Sequence, residues 1–186
     1  MTAIHVQSAT IRLGEHVAVD EVTLAVAPGE FVGLIGPNGA GKTTLMRAIA
    51  GVQRLDTGAV LIGGRLVTDW PRRALAREIA YLPQGGVAHW PLEARRLVAL
   101  GRLPHATPFH RGTAADEAAI DKALDDADAR SLATRPVNEL SGGARALVLM
   151  ARALAVEAPT LLADEPAAML APSHQLQIME LLKSIA

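Results

Sequence analysis

The stretch "GPNGAGKTT" has the clearest chemical pattern in the chain. It follows the spacing G-x-x-x-x-G-K-[ST], with the fixed positions at Gly36, Gly41, Lys42 and Thr43. Glycines let backbone N–H groups face a polyphosphate, the following helix adds a favourable dipole, the lysine reaches the outer phosphates, and the threonine hydroxyl suits magnesium. The alternative is an ordinary glycine turn before a helix. The expected context, strand before and helix after, favours a phosphate-binding loop.

Two adjacent carboxylates follow an apolar run in "TLLADEP". A strand ending here would deliver Asp164 to the phosphate end of a sheet, where a carboxylate can hold magnesium, and Glu165 could then poise a water molecule. The alternative is a simple exit from a strand into a turn, which is the better interpretation of Asp-Glu-Pro where no phosphate loop is present.

A third stretch, "NELSGGARALVLMARALA", predicts a long helix whose first turn is rich in glycine. Ser141 is a good N-cap, so one interpretation is simply a capped helix start. The other is a second phosphate site built from the serine hydroxyl, backbone N–H groups and the helix dipole. Small residues at this place would admit a ligand.

The elements that must position these residues alternate between strand and helix. "VTLAVAPGEFVGLIG" predicts two strands separated by a turn at Pro28 and Gly29, "KTTLMRAIAG" a helix ended by Gly51, "AVLIGGRLV" a hairpin, and "EIAYLP" a buried strand. A helix–strand–helix unit closes the sequence. Alternation of this kind predicts an α/β fold.

The middle of the chain, residues 91–136, predicts helices instead. Ile120, Leu124 and Ala127 have the spacing of a core-facing stripe. The acidic side chains between them predict a solvated helix face: Asp116, Glu117, Asp121, Asp125 and Asp126.

Composition bounds the interpretation. The chain has 186 residues, a net charge of -1 and no cysteine, which predicts one domain without disulfides and gives no reason to expect a nucleic-acid partner. The start has no secretory pattern, and no uninterrupted apolar run approaches the roughly 20 residues that span a bilayer. A soluble or peripheral protein is the expectation.

The order "GPNGAGKTT", "YLPQ", "LSGG", "LLADEP" resembles the nucleotide-binding domain of the ABC ATPases. The resemblance covers almost the entire chain. It implies a P-loop NTPase fold, with a central mostly parallel sheet, an N-terminal antiparallel β part and a helical insertion at about 88–140. The whole of residues 1–186 would be a single ABC ATPase domain.

The resemblance also implies roles for individual residues. The Walker A loop would bind ATP through Gly36, Pro37, Asn38, Gly39, Ala40, Gly41, Lys42, Thr43 and Thr44. The signature would be Ser141, Gly142 and Gly143. Magnesium would be held by Thr43, Gln84 and Asp164, and catalysis would rest on Glu165 as general base with Gln84 and Lys42. In this family two copies pair head to tail, so each signature closes over ATP held by the other copy.

A narrower resemblance comes from "AHWPLEARRLVALGRLPH" and "HQLQIMELL". These stretches look like the ATPase subunits of importers for chelated iron, haem and cobalamin. The implied partners are a membrane-spanning permease and, indirectly, a substrate-binding protein, and the implied location is peripheral, on the cytoplasmic face of the inner membrane. His89, His105 and His110 could suggest a metal site, but their irregular spacing favours surface histidines.

Several positions depart from the family pattern. Leu13 stands where an aromatic residue usually stacks on adenine, Ala144 where glutamine or glutamate is usual, and Ala171 where the D-loop aspartate is expected. The family continues with further strands and a switch histidine beyond position 186, and His174 is not that residue. We therefore expect a chain that lacks the C-terminal part of the domain, binds ATP and hydrolyses it slowly.

Two alternatives remain at this point. One is an ABC ATPase that acts on DNA, ribosomes or iron-sulfur assembly, and the other is a catalytically weak nucleotide-binding fragment. The segment from Gln84 to Ser141 has no sustained heptads, unlike the coiled-coil insertions of the DNA-repair members. The chain has one such domain, whereas ribosome-acting members generally have two.

Overall fold

The computed structural model describes residues 2–85, 91–107, 112–167 and 172–185. These residues form two compact units, Met1–Ile79 and Ala80–Ile185. The first unit contains mostly antiparallel β structure and the phosphate loop. The second contains most of the helices and the acid pair.

The first unit is built on a four-stranded antiparallel sheet with the order β2-β1-β3-β4. Its strands are β1 (Ile4–Leu13), β2 (His16–Val26), β3 (Thr57–Ile62) and β4 (Arg65–Leu66). One face of β1 and β3 is apolar and fully covered, through Val6, Ile11, Val60 and Ile62. This alternation of buried and exposed residues fits a sheet with one face on a core.

Two helices complete the first unit, α1 (Lys42–Ile49) and α2 (Arg72–Glu78). Helix α1 buries Leu45, Ala48 and Ile49, which follow the spacing of one helix face. Gly51 follows the C-cap Ala50, and its positive φ of 72° closes the helix as predicted from the sequence. The hairpin predicted at "AVLIGGRLV" is also present, because Ile62 pairs with Arg65 across the two glycines.

The strand predicted at "EFVGLIG" is wrong for this structure. Residues 30–37 have no strand assignment, and no described segment pairs with them. The side chains of Phe31, Val32 and Ile35 are 53%, 52% and 95% exposed. A buried strand needs hydrogen-bonded neighbours on both edges. Without them an apolar run is insufficient to make a strand.

The second unit contains the strands β5 (Ile79–Leu82) and β6 (Thr160–Ala163), which form a parallel two-stranded sheet. Its helices are α3 (Ala94–Ala99), α4 (Ala114–Asp126), α5 (Gly142–Leu154) and α6 (Pro172–Ile185). Helices α3, α4 and α5 lie in the connection from β5 to β6. Neighbouring parallel strands require a long connection of this kind. Helices α3 and α4 lie inside the range 88–140 that the sequence predicts as a helical insertion.

One apolar cluster holds the second unit together. Ile120, Leu124 and Ala127 are at most 3% exposed, which confirms the core-facing stripe predicted from the sequence. Helix α5 lies at the centre of the cluster, since Val148, Met150 and Ala151 are fully buried. Complete burial of an aliphatic side chain contributes roughly 1.5–3 kcal/mol, so this cluster is the main stabilising feature of the unit.

The acidic face of α4 is paired rather than simply solvated. Arg95 bonds Glu117 at 2.6 Å and also Asp121, and Arg130 bonds Asp125 at 2.6 Å. These exposed pairs raise the pKa of both arginines and lower the pKa of Asp121 and Asp125 through hydrogen bonds. The residues connect α4 to its neighbours, a role that its charge pattern alone does not reveal.

Candidate functional site

The phosphate loop turns into α1 through glycines in the left-handed region. Gly41 is the N-cap of α1, with φ 82° and ψ 6°, and Gly39 has φ 83°. A Cβ at Gly41 would lie 2.0 Å from the backbone oxygen of Ala18, so only glycine fits at this position. A glycine cap supplies no side-chain acceptor to the first turn of the helix, which leaves this end suited to an anion.

Lys42 points back into the loop that precedes it. Its Nζ donates to the backbone oxygens of Gly36 at 2.8 Å and Pro37 at 2.9 Å. The only charged group of the loop therefore lies beside the glycine-rich backbone that is predicted to surround phosphate. The two threonines that follow are half-buried in the first turn of α1. This arrangement fits a polyphosphate ligand.

In the second unit, the ends of β5 and β6 bring the predicted carboxylates and glutamine together. The backbone N–H of Asp164 donates to the oxygen of Leu82 at 2.9 Å. The hydroxyl of Tyr81 donates to Asp164 Oδ2 at 3.2 Å. Asp164 is 2% exposed and is one of two buried polar residues identified within the described chain. Burying a carboxylate is costly without hydrogen bonds, so the Tyr81 hydroxyl supports the side chain, while the contact to Leu82 fixes the backbone.

Gln84 contacts Glu165 directly. Its Nε2 donates to Glu165 Oε2 at 2.5 Å, and both side chains are exposed. Glu165 has a positive φ of 48°, a conformation that non-glycine residues seldom adopt. The Asp-Glu-Pro stretch is thus both a strand exit and a place where two predicted site residues meet. Backbone strain of this type is concentrated at functional sites.

The start of α5 has the features of both interpretations of the sequence. Ser141 is the N-cap, and its Oγ accepts from the N–H of Ala144 at 3.3 Å, which is the ordinary capping contact. Gly142 is exposed, and a Cβ there would meet nothing within 4 Å. Arg145 donates to the oxygen of Leu140 at 3.2 Å and fixes the entry into the helix. The turn is therefore capped and also open on its glycine side.

Sequence reasoning missed Tyr81 and the direct contact between Gln84 and Glu165. Tyr81 lies in the stretch "YLPQ", and its strand position before Gln84 was the available signal.

Of the three histidines considered as metal ligands, His105 contacts backbone, because its Nε2 lies 2.8 Å from the oxygen of Val156. His89 and His110 lie outside the described residues, as does Ala171. Leu13 is 50% exposed at the end of β1.

Potential metal ligands of the described part of the chain do not cluster. Within it, no group of three or more histidine, aspartate or glutamate residues could hold a metal ion. The oxygens of Thr43, Gln84 and Asp164 are hard ligands of the type that magnesium prefers. As for membranes, none of the described helices combines the length and the apolarity that crossing a bilayer requires.

Comparison with known proteins gives an independent view of the chain. The family model "ABC transporter" matches residues 19–168. The cobalamin import ATP-binding protein BtuD of Halobacterium salinarum is 40% identical over 186 residues, which are 100% of this chain and 45% of the relative. The probable siderophore transport system ATP-binding protein YusV of Bacillus subtilis is 37% identical over 98% of this chain and 66% of its own length.

A solved structure is similar over nearly the same range. It is a dimeric ATP-binding cassette in a post-hydrolysis state bound to ADP and phosphate, with TM-score 0.81, 28% identity and coverage of 98% of this chain and 82% of that one. The present chain spans about half the length of the cobalamin relative. The family model covers most of the chain, and the motifs lie within the matched residues. The chain therefore belongs to the ABC transporter family.

Proposed function

We propose that this chain is the nucleotide-binding part of an ABC importer ATPase for chelated iron, haem or cobalamin, which binds and hydrolyses ATP. The observation that carries the proposal is the phosphate loop, in which Lys42 and two left-handed glycines surround the start of α1. Two relatives are named for cobalamin import and siderophore transport, which supports the substrate class.

Each group has a role in this proposal. Lys42 and the loop N–H groups, with Thr44, bind the phosphates of ATP, and Glu165 accepts a proton from the attacking water. Gln84 orients Glu165 through the 2.5 Å contact. Magnesium, when bound, neutralises phosphate charge, and the residues proposed to hold it are Thr43, Gln84 and Asp164. Tyr81 keeps the buried Asp164 carboxylate in one orientation.

The signature acts in a second copy of the chain. Ser141, Gly142 and Gly143 offer a hydroxyl and backbone N–H groups at a helix start to ATP that the other copy holds. The dimeric cassette bound to ADP and phosphate supports the pairing of two copies. We propose a head-to-tail dimer on the cytoplasmic face of the inner membrane. Its partners are a permease and, indirectly, a substrate-binding protein.

Helix α3 and the residues that follow it suit permease docking. The side chain of Arg96 is 72% exposed, and Leu100 and Leu103 are 44% and 62% exposed. Apolar side chains rimmed by charge are typical of a surface that meets another protein. This stretch also has the narrower resemblance to importer subunits.

The alternative is a nucleotide-binding module with weak turnover, which Ala171 favours because the family places an aspartate there. We expect Ala171→Asp to raise steady-state ATP hydrolysis on the order of 100-fold, the effect of restoring one positioned group. Adding Glu165→Gln should remove the gain, whereas Glu180→Gln, at an exposed position of α6, should keep it. If the gain survived Glu165→Gln, Glu165 would not be the general base.

A further inference from the structure

The stretch "GRLPH" at residues 101–105 contacts the C-terminal end of α5. Arg102 Nη1 donates to the backbone oxygen of Ala155 at 2.8 Å, and His105 Nε2 lies 2.8 Å from the oxygen of Val156. Both carbonyls lie just past the end of α5, where backbone oxygens have no partner within the helix. Cationic or donor side chains are favourable at this end of a helix.

Arg102 also forms hydrogen bonds with two carboxylates. Its Nε donates to Asp116 Oδ1 at 2.8 Å, and its Nη1 also donates to Glu157 Oε2 at 2.8 Å. The side chain is only 11% exposed. Asp116 belongs to the capping box that starts α4. One guanidinium therefore connects the start of α4 to the end of α5.

Gly101 brings the backbone against α5 at the same place. A Cβ at Gly101 would lie 2.3 Å from the backbone oxygen of Arg152, so a larger residue would push the two segments apart. Close approach of this kind requires glycine. Gly101, Arg102 and His105 thus all contact the C-terminal end of α5.

The beginning of the same segment contacts the loop before α5. The N–H of Val137 donates to the oxygen of Leu92 at 2.9 Å, and the N–H of Ala94 donates to the oxygen of Arg135 at 2.9 Å. These are backbone contacts and do not depend on side-chain identity. The segment 92–105 therefore contacts the chain on both sides of α5, through backbone groups at residues 135–137 before the helix and through side chains after its last turn.

We propose that Arg102 and His105 are positioning residues that fix the axis of α5 and so the direction in which Ser141 and Gly142 face. Helix α5 has 13 residues, which makes it about 20 Å long. A helix held at one end can tilt, and a tilt moves its N–H groups out of line with a ligand. Neither residue touches nucleotide in this proposal.

The test uses the absence of native cysteine. Spin labels are placed at Gly142→Cys and Ala118→Cys, an exposed position on each of α5 and α4. We expect one narrow distance distribution in the otherwise unchanged chain. Arg102→Met and His105→Leu should broaden or shift it, and His105→Gln, which keeps a donor, should restore it.

The matched control is Arg130→Met. Arg130 bonds Asp121 and Asp125, both of which lie on α4. This variant should lose comparable ion pairs and leave the label distance unchanged. Circular dichroism and cooperative unfolding identify any variant that fails to fold, and His105→Leu, which removes one hydrogen bond, is the milder change.

The second arm, with the native residues at 118 and 142, measures ATP-dependent dimerisation by sedimentation. It rests on the proposed function, whereas the label distance does not. We expect Arg102→Met and His105→Leu to weaken dimerisation on the order of 10- to 100-fold, the cost of displacing a positioned group, with ATP affinity of the monomer unchanged. Label distances in both variants equal to those of Arg130→Met would overturn the proposal. A changed label distance together with unchanged ATP-dependent dimerisation would overturn it too.

Discussion

Gly39 and Gly41 have nearly the same φ but different surroundings. Both have φ near 83°, yet a Cβ at Gly39 meets nothing within 4 Å, whereas one at Gly41 would lie 2.0 Å from Ala18. Left-handed geometry alone costs roughly 1–2 kcal/mol for an L-residue. The remaining difference between the two positions is the steric clash.

We predict that Gly41→Ala destabilises the chain more than Gly39→Ala. Gly39→Ala should lower the free energy of unfolding by about 1 kcal/mol, and Gly41→Ala by more than about 3 kcal/mol, because its clash is with backbone that cannot rotate away. Urea unfolding of the two variants measures the difference. Equal losses would mean that the loop can move away from Ala18.

Single residues were predictable from sequence where chemistry depends on spacing. The fixed glycine-lysine spacing places Lys42 at the start of α1, and Ser141 was predictable as an N-cap. The contact between Gln84 and Glu165 was not predictable, because 81 positions separate the two residues and only the pairing of β5 with β6 brings them together. Tyr81 was missed for the same reason.

At the scale of elements, the start of α4 depends on a capping box. Thr113 Oγ1 accepts from the N–H of Asp116 at 3.1 Å, and Asp116 accepts from the N–H of Thr113 at 2.9 Å. The hydrogen bond from the Thr113 backbone lowers the pKa of Asp116 below its usual 3.8, with further lowering by Arg102. The ionised carboxylate is the stabilising form.

The lowered pKa of Asp116 sets the direction in which folding stability changes with pH. Because the folded pKa lies below 3.8, the stabilisation is present above that pH and is lost as pH falls further below it. Asp116→Asn should lower the free energy of unfolding by about 1 kcal/mol at pH 7 and by less at pH 3. Asp126→Asn, which loses one exposed i,i+4 pair with Lys122, should cost about 0.3–0.5 kcal/mol. The free energy of unfolding is measured with urea at both pH values. A loss in Asp116→Asn that is the same at pH 3 as at pH 7 would contradict this account.

Helix α3 contains two neighbouring arginines, and we expect their substitution to affect stability and partner binding differently. Arg95 bonds Glu117 and Asp121 and is 34% exposed, whereas Arg96 is 72% exposed and lies 3.7 Å from Glu93. An exposed side chain is available to a partner, while a paired one holds α3 against α4. We predict that Arg96→Glu weakens co-purification with the proposed permease partner and leaves both ATP affinity and thermal stability unchanged.

Arg95→Glu is the comparison for this experiment. It should lower the melting temperature, because it places a third carboxylate beside Glu117 and Asp121. Undiminished recovery of the permease with Arg96→Glu would place the docking surface outside α3.

Elements were predicted well where periodicity and caps agreed. The buried face of α4, the hairpin before β4 and the glycine end of α1 all follow local rules. The strand at "EFVGLIG" did not form, because strand formation depends on neighbouring strands and not on the apolar run itself. Exposure of Ile35 at 95% is the clearest sign that its edges lack partners in the described chain.

At the scale of the whole molecule, alternating strands and helices predicted the α/β class, and four motifs in a fixed order predicted the family. The matched range of residues 19–168 confirms the family. Substrate and partners could not be derived in this way, because the four motifs suit phosphate and magnesium and none of them is specific for a transported molecule.

The central claim is that the phosphate loop binds ATP, and calorimetric titration with magnesium-ATP tests it most directly. We expect binding by the unmodified chain and affinity weaker on the order of 100-fold in Lys42→Ala, since a charge-assisted hydrogen bond is lost. Arg47→Ala removes an exposed charge from the same helix and should leave affinity unchanged. Equal ATP affinity in the unmodified chain and Lys42→Ala would contradict the account.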